Sequence, residues 1–187
     1  MKKIIFLDRD GVINGYPGDG RYVTKMAEFR FLPGAKKAIA RLTEEGFDIF
    51  IISNQAGVSK GLYSYKELDK ITRHMLKGIE SAGGNISRVY YCIHQDKHKC
   101  ACRKPKTGLI RNALKEAAIG KAAARNAFFI GDSIRDVITA KRAKIKSILV
   151  FSGKEKPSNR SGWEIMPDYT AKDLFSAVGL ILRLNAH

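Results

Sequence analysis

Cysteine is scarce in this sequence, with three residues among 187, and all three lie between Cys92 and Cys102. An odd number of cysteines cannot form a fully paired disulfide framework, and a chain without an export signal keeps its thiols reduced. This excludes a small fold held together by disulfides. Reduced cysteines clustered in one stretch are typical of a metal site, and we expect one here.

Long hydrophobic runs are also missing. The amino-terminal stretch MKKIIFLDRD has only the four apolar residues IIFL before its first acidic residue, which is too few for a secretory signal. No run elsewhere approaches the length of a membrane span. We therefore expect a cytoplasmic protein that has no membrane partner.

Acidic residues are few relative to basic ones. The chain has 18 Asp and Glu against 34 Lys and Arg, and its formal net charge is +16. Such an excess attracts anions and favours an anionic ligand. A length of 187 residues and a hydrophobic content of 44% suffice for one core, so we predict a single domain over residues 1–187 and a monomer.

The pattern of apolar residues predicts an α/β fold. Five short runs rich in Ile, Val, Phe and Tyr indicate strands buried on both faces: IIFLD, DIFIIS, RVYYCI, AFFIGD and SILVF. Helical segments alternate with them, at residues 34–45, 107–119, 133–143 and 171–184 and after a capping box of Ser64 with Glu67. This order predicts a Rossmann-like, mainly parallel sheet of about five strands with helices on both faces. We expect residues 152–168 to form a surface loop.

Acidic residues follow two of the predicted strands. Asp8, Asp10 and Gly11 come after the first, and Asp132 and Asp136 come after the strand that ends at Gly131. Each group alone is also a common turn sequence. Because parallel strands present their carboxyl ends at one edge, however, Asp8, Asp10 and Asp132 are expected to converge. Carboxylates that share a small volume call for a hard cation such as Mg²⁺.

Polar and basic residues occupy two further positions at the same predicted edge. Ser53, Asn54 and Gln55 follow the second strand, and Arg103 with Lys104 precede a helix. Ser53 alone is equally typical of ordinary capping at a strand end. We expect Asn54, Gln55 and Arg103 to contact substrate.

These motifs resemble those of the haloacid dehalogenase-like phosphatases. The resemblance covers roughly residues 3–153 and is carried by DRDGV, the Ser53 strand end, Lys104 and GDSIRD. Within the superfamily, SNQAGVSKG and CACRKPKTG are similar to the group that contains D,D-heptose 1,7-bisphosphate and histidinol-phosphate phosphatases. The resemblance implies that Asp8 is the nucleophile and Asp10 the general acid and base. It also implies that Ser53 and Lys104 hold the phosphoryl group, while Asp8, the Asp10 carbonyl and Asp132 ligate Mg²⁺.

The cysteine stretch offers four candidate metal ligands. Cys92, His94, Cys100 and Cys102 are of the type and number that tetrahedral Zn²⁺ requires. Metal-free buried thiols, or His98 in place of His94, are alternatives from the residues alone. The resembled group carries a zinc loop of this pattern, which implies a structural site at residues 92–102. We interpret this loop as a clip that aligns Arg103 and Lys104.

The segments between the motifs are too short for a separate cap domain. An open site suits a small phosphorylated metabolite, and a second phosphate contact at Arg103 favours a sugar bisphosphate. We therefore predict a Mg²⁺-dependent phosphomonoesterase that removes the 7-phosphate of D-glycero-D-manno-heptose 1,7-bisphosphate. The alternatives are a histidinol-phosphate phosphatase, a polynucleotide 3′-phosphatase and a non-catalytic zinc-bearing nucleic-acid binder, and we expect no nucleic-acid partner.

Overall fold

The computed structural model describes residues 2–185, in which one six-stranded sheet is flanked by helices. The strands are β1 (Lys3–Leu7), β2 (Phe47–Asn54), β3 (Arg88–Cys92), β4 (Phe128–Gly131), β5 (Lys146–Val150) and β6 (Tyr169–Ala171). The helices are α1 (Ala35–Glu44), α2 (Tyr65–Glu80), α3 (Gly108–Glu116), α4 (Lys121–Ala124), α5 (Ile134–Ala143) and α6 (Leu174–Asn185). Short 3-10 helices cover Met26–Glu28, Asp96–His98 and Pro157–Gly162.

All neighbouring strands pair in parallel, in the order β3-β2-β1-β4-β5-β6. The chain winds outward from β1 to β3 and then returns to the other side of β1 with β4. Open parallel sheets bind ligands where the winding reverses, outside the carboxyl ends of the strands. The Asp8 amide donates to the Ile130 carbonyl at 2.9 Å, which ties the ends of the two central strands together. The predicted Rossmann-like α/β sheet is confirmed.

The sheet is buried on both faces, which explains its continuous apolar runs. Ile5 and Leu7 of β1 belong to a cluster formed with α1, α2 and α6. Ile4 and Phe6 point to the opposite face and pack with α3 and α5. No helix within residues 2–185 is long and apolar enough to cross a membrane.

The end of the sheet differs from the sequence-based expectation of about five strands. Residues 169–171 form β6, so the last helix begins at Leu174 rather than at residue 171 as predicted. Asp168 explains the difference, because its carboxylate accepts hydrogen bonds from the Ser147 amide at 2.8 Å and the Ser147 hydroxyl at 2.7 Å. It also pairs with Lys141. These contacts hold the chain beside β5 and start the pairing of Ile148 with Tyr169.

We predict that Asp168→Ala lowers the free energy of unfolding by about 1–3 kcal/mol, because the buried Ser147 loses its acceptor. Urea denaturation measures this change. Asp69→Ala is the matched control, since Asp69 forms an exposed ion pair with Arg73. This control should lower the free energy of unfolding by about 0.5 kcal/mol or less.

The same contact has a defined pH dependence. Burial opposes ionisation of Asp168, but hydrogen bonds from Lys141 and Ser147 lower its pKa below the ordinary value. A carboxyl group of this kind stabilises the fold above its unfolded pKa, and the contribution is lost as the pH falls through the folded pKa. The difference in the free energy of unfolding between wild type and Asp168→Ala should have its full size at about pH 7 and become smaller below about pH 4. A constant difference would contradict this assignment.

Candidate active site and metal centre

A cavity of about 660 Å³ opens at the carboxyl ends of the central strands. Its floor contains Asp8 and Asp10 after β1, Ser53 at the end of β2, and Asp132 after β4. Lys104 enters from the segment that precedes α3. The topology therefore brings Asp8 and Asp132 together from distant positions in the sequence. The carboxylate of Asp10 does not join them as expected, because it pairs with Arg9, and Asp136 is the third carboxylate of the cluster.

Three buried carboxylates surround one ammonium at the bottom of the cavity. Asp8, Asp132 and Asp136 each offer an oxygen, and these oxygens lie within 4.8 Å of one another. The Lys104 Nζ lies 2.8 Å from Asp8 Oδ2 and 2.6 Å from Asp136 Oδ1. Burial by itself lowers the pKa of Lys104, but the Asp136 and Asp8 carboxylates raise it above its ordinary value. The lysine therefore stays charged inside the cluster.

The carboxylate cluster fits a divalent cation. Burial raises the pKa of Asp8 to about 6, although Lys104 acts in the opposite direction. Burial, with repulsion from Asp136 and Asp8, also raises the pKa of Asp132. Three carboxylates against one ammonium leave two negative charges uncompensated, and Mg²⁺ prefers oxygen ligands of this type.

Glycines make room for these carboxylates. A Cβ on Gly11 or on Gly153 would lie 2.1 Å from Asp132 Oδ2, and a Cβ on Gly131 would lie 2.2 Å from the Asp136 Cβ. Gly11 also has a φ of +80°, which other residues rarely adopt. The glycines therefore allow backbone to pass close to the acidic cluster.

Asn54 holds the peptide of Lys104 rather than extending freely into the cavity. Its Oδ1 accepts from the Lys104 amide at 3.0 Å, and its Nδ2 donates to the Lys104 carbonyl at 3.2 Å. Asn54 and Ser53 both line the cavity, as expected for residues that contact substrate. Asn54 thus connects the end of β2 to the lysine.

Gln55 is placed differently from the expectation that it contacts substrate. It is fully buried and is not among the cavity-lining residues. Its Nε2 donates to Asp10 Oδ2 at 2.8 Å and to the Ser53 hydroxyl at 3.2 Å, while its Oε1 accepts from the Tyr63 hydroxyl at 2.6 Å. The Gln55 amide donates to the Cys92 carbonyl at 2.7 Å, which extends the pairing of β2 with β3 by one residue.

The four candidate zinc ligands lie together. The sulfur atoms of Cys92, Cys100 and Cys102 are 3.1–3.6 Å apart, and the His94 Nδ1 is 3.3 Å from the Cys102 sulfur and 3.7 Å from the Cys92 sulfur. The edges of a tetrahedral zinc site with Zn–S bonds of ~2.3 Å are about 3.8 Å, so a modest expansion would admit the ion. His98 stands outside the cluster, where its Nδ1 accepts from the Gln95 amide.

The cysteine loop leads into a basic rim of the cavity. Arg103 donates to Asp96 at 2.6 Å and to the His94 carbonyl at 3.3 Å. The bond from Arg103 lowers the pKa of Asp96, and the charges of Arg135 and Lys60 lower it further. All three basic side chains line the cavity. These three side chains give the cavity a basic rim.

Residues at the site that were not assigned a role from the sequence include Lys60 and Arg135 of the rim and the buried Asp136 and Arg9. Asp136 pairs with Lys104, and Arg9 pairs with Asp10 at 3.0 Å. The signal for Asp136 was its place three residues after Ser133, whose amide and hydroxyl both donate to its carboxylate. Nothing in the spacing shows that the side chain of Arg9 turns inward.

The sequence is similar to known proteins over most of its length. A family model described as HAD-hydrolase-like matches residues 101–177. A D-glycero-beta-D-manno-heptose-1,7-bisphosphate 7-phosphatase of Pasteurella multocida is 35% identical over 82% of this chain and 84% of its own length. A D-glycero-D-manno-heptose-1,7-bisphosphate 7-phosphatase of Chlorobaculum tepidum is 35% identical over 96% of this chain and 94% of its own.

Solved structures show the same likeness. The D,D-heptose 1,7-bisphosphate phosphatase of B. bronchiseptica, complexed with magnesium and phosphate, superposes with a TM-score of 0.90 at 30% identity. The match covers 98% of this chain and 99% of that one. The corresponding enzyme of Burkholderia thailandensis has a TM-score of 0.72 at 25% identity and covers 97% of this chain and 99% of its own.

We predict that Gly153→Ala weakens Mg²⁺ binding by about 10- to 100-fold, because the new Cβ must displace the Asp132 carboxylate. Isothermal titration calorimetry with Mg²⁺ measures the change. Gly162→Ala in the same connection is the control, since its Cβ would meet nothing within 4 Å. A folded Gly153→Ala protein with wild-type Mg²⁺ affinity would show that Asp132 is not a ligand.

Proposed function

The chain belongs to the haloacid dehalogenase-like phosphatases, in the group of the D-glycero-D-manno-heptose-1,7-bisphosphate 7-phosphatases, and from that membership we propose that it removes the 7-phosphate of this heptose bisphosphate. The observation that carries the proposal is the Lys104 ammonium 2.8 Å from Asp8, beside two further carboxylates in a cavity with a basic rim. A monomeric state and a cytoplasmic location stay predictions.

Asp8 is the proposed nucleophile. Its carboxylate faces the cavity, and the Arg9 amide donates to its Oδ1 at 2.7 Å, which leaves Oδ2 beside Lys104. A phosphate monoester repels a carboxylate, so positive charge must meet the phosphoryl oxygens before attack. Lys104 supplies one such charge. In-line attack then forms an aspartyl phosphate on Asp8 and breaks the bond to the leaving oxygen.

Asp8, Asp132 and the Asp10 carbonyl are the proposed Mg²⁺ ligands, and Asp136 stands close enough to assist. When bound, Mg²⁺ supplies further positive charge at the phosphoryl oxygens. The relative from B. bronchiseptica was solved with magnesium and phosphate, which supports this assignment. Ser53 lies at the end of β2 on the same cavity floor, where its hydroxyl can donate to a phosphoryl oxygen.

Asp10 is the proposed general acid and base. As the acid it gives its proton to the departing alkoxide oxygen. As the base it takes a proton from the water whose oxygen bonds to phosphorus while the bond from phosphorus to Asp8 breaks. Such proton transfer contributes about 10²- to 10⁴-fold to the rate. Its side chain, 16% exposed, reaches the cavity wall two residues after the nucleophile.

The basic rim is the proposed site for the second phosphate. Arg103 bonds to the exposed carboxylate of Asp96, and a substrate phosphate that displaced this carboxylate would meet the same planar donors. Lys60 and Arg135 line the same cavity. This arrangement favours a bisphosphate over histidinol phosphate, which has no second anionic group, and the cavity is the size of a small-molecule site. The intact acidic cluster argues against a non-catalytic nucleic-acid binder.

We predict that kcat/KM for D-glycero-D-manno-heptose 1,7-bisphosphate exceeds kcat/KM for the 7-monophosphate and for histidinol phosphate by about 10- to 100-fold. This factor corresponds to the free energy of one charge-assisted hydrogen bond. The 7-monophosphate is the matched substrate because only the second phosphate differs. Asp8→Asn should abolish turnover of all three substrates. Equal rates on the mono- and bisphosphate would contradict the role of the rim, and an active Asp8→Asn protein would contradict the mechanism.

The cysteine cluster is proposed to hold structural Zn²⁺. Burial opposes ionisation of Cys100, but the Arg103 amide and neighbouring groups lower its pKa to about 6, so one thiolate forms readily. Zinc would close the loop against the sheet, because Cys92 ends β3. The loop then leads directly into Arg103 and Lys104. We infer that the metal serves catalysis by fixing these two cations.

Purified protein should contain about one Zn²⁺ per chain, as expected for a closed four-ligand site. Cys102→Ser should lose the zinc, and its kcat/KM should fall about 10²-fold. A shift of ~1 Å in a positioning group lowers the rate by about this factor. His98→Ala should keep both, since His98 lies outside the cluster. Elemental analysis and kinetics on the two variants test this. A zinc-free Cys102→Ser enzyme with full activity would contradict the interpretation that the zinc loop aligns Arg103 and Lys104.

A further inference from the structure

A fully buried arginine lies between the two aspartates that follow β1. Arg9 has no exposed surface, and its carbonyl accepts from the amides of Ile13 and Asn14 at 2.8 and 3.2 Å in the turn after β1. Its guanidinium carbon lies 5.9 Å from the centre of the Tyr91 ring. Arginine is almost never fully buried unless it is paired, so its partners indicate its role.

The guanidinium forms its carboxylate contacts with Asp10. Nη2 lies 3.0 Å from both Oδ1 and Oδ2, and Nε lies 3.2 Å from Oδ1. Among residues 2–185, Asp10 is the only carboxylate in an ion pair with Arg9. Planar contacts of this kind fix the orientation of a carboxylate as well as its position.

Two buried amides complete the contacts of Asp10. The Asn14 Nδ2 donates to Oδ1 at 2.8 Å, and the Gln55 Nε2 donates to Oδ2 at 2.8 Å. Gln55 is itself oriented, because its Oε1 accepts from Arg9 at 3.2 Å and from the Tyr63 hydroxyl at 2.6 Å. The carboxylate is therefore held on its inner side, while part of it faces the cavity.

Stability alone does not account for this pair. The cost of desolvating a buried ion pair roughly offsets its attraction, and apolar residues of similar volume often stabilise a fold as well or better. What the pair does provide is a carboxylate with a fixed direction. General acid and base catalysis requires such a direction, because the proton must be within hydrogen-bond reach of the reacting oxygen.

We propose that Arg9 is a positioning residue that directs the Asp10 carboxylate towards the oxygen with which it exchanges a proton. This rests on the proposed phosphatase function. Arg9 does not line the cavity and touches neither the substrate site nor Asp8 through its side chain. It acts through Asp10, which it contacts directly and through Gln55, in the transfer of the proton to the leaving oxygen and in the later transfer from water.

The test compares two substrates with the Mg²⁺-supplemented enzyme. Arg9→Lys keeps the charge but loses the planar fork, and Arg9→Met removes both. Each should lower kcat/KM for the heptose bisphosphate about 10- to 100-fold with little change in KM. For p-nitrophenyl phosphate, whose leaving group departs without a proton, kcat/KM should change less than about threefold. A purely structural role would lower both values together.

A double variant separates action through Asp10 from other effects. Asp10→Asn removes the group that Arg9 is proposed to position, so adding Arg9→Met to it should cause no further loss. Tyr63→Phe provides a milder test that leaves the ion pair intact. By freeing one end of Gln55 it should lower kcat/KM for the heptose bisphosphate about 2- to 10-fold. Tyr90→Phe, whose hydroxyl bonds to the exposed Glu116, is the control and should have no effect.

Each outcome bears on the proposal. Parallel losses on both substrates, or a further loss in the double variant, would overturn the positioning role and leave the phosphatase function standing. If Arg9→Met does not fold, Arg9→Lys and Tyr63→Phe decide, and wild-type kinetics in both would overturn the role. A wild-type protein that hydrolyses neither substrate would remove the proposed function and the positioning role with it.

Discussion

The ion pairs of Lys104 are the interaction on which the rest of the site depends. One buried ammonium lies between Asp8 and Asp136, and Asp132 stands beside them. Carboxylates this close together in a desolvated site oppose one another's ionisation, so all three can be ionised only if cations lie beside them. Lys104 supplies one positive charge and leaves a deficit that matches Mg²⁺. The same deficit makes the cavity able to hold a metal and, through it, a phosphate dianion.

The topology of the sheet creates this cluster. Asp8 follows β1 and Asp132 follows β4, and the two strands are neighbours only because the chain reverses its winding between β3 and β4. Lys104 arrives from the connection that crosses back over the sheet. Asn54 holds both sides of its peptide, so the lysine is fixed from the strand end next to the nucleophile. A displacement of the cysteine loop would therefore reach Asp8, the proposed nucleophile, through Lys104.

Much of this could be predicted from sequence because it follows local rules. Buried strands, acidic strand ends and the cysteine spacing are each visible in a short window, and the structure brings Asp8, Asp132 and Lys104 together as the strand order requires. The short β6 was missed because its position is set by Asp168 and Ser147, which are distant in sequence. Gln55 follows two polar residues at a strand end, a position that is typical of exposed residues, but its side chain is buried. Its hydrogen-bond partners come from other segments of the chain and could not be predicted from this position.

The two aspartates after β1 are separated by one residue, yet they face opposite requirements. A nucleophilic carboxylate needs a neighbouring cation that also contacts the substrate. A carboxylate that transfers protons needs a cation that fixes its orientation and does not contact the substrate. In the proposed mechanism Lys104, which lines the cavity, meets the first requirement, and the fully buried Arg9 meets the second. Lys104 comes from a loop that the proposed zinc site would order, while Arg9 is the chain neighbour of Asp10. Loss of order in that loop should therefore misplace the phosphate-binding charge and leave the Arg9–Asp10 pair intact.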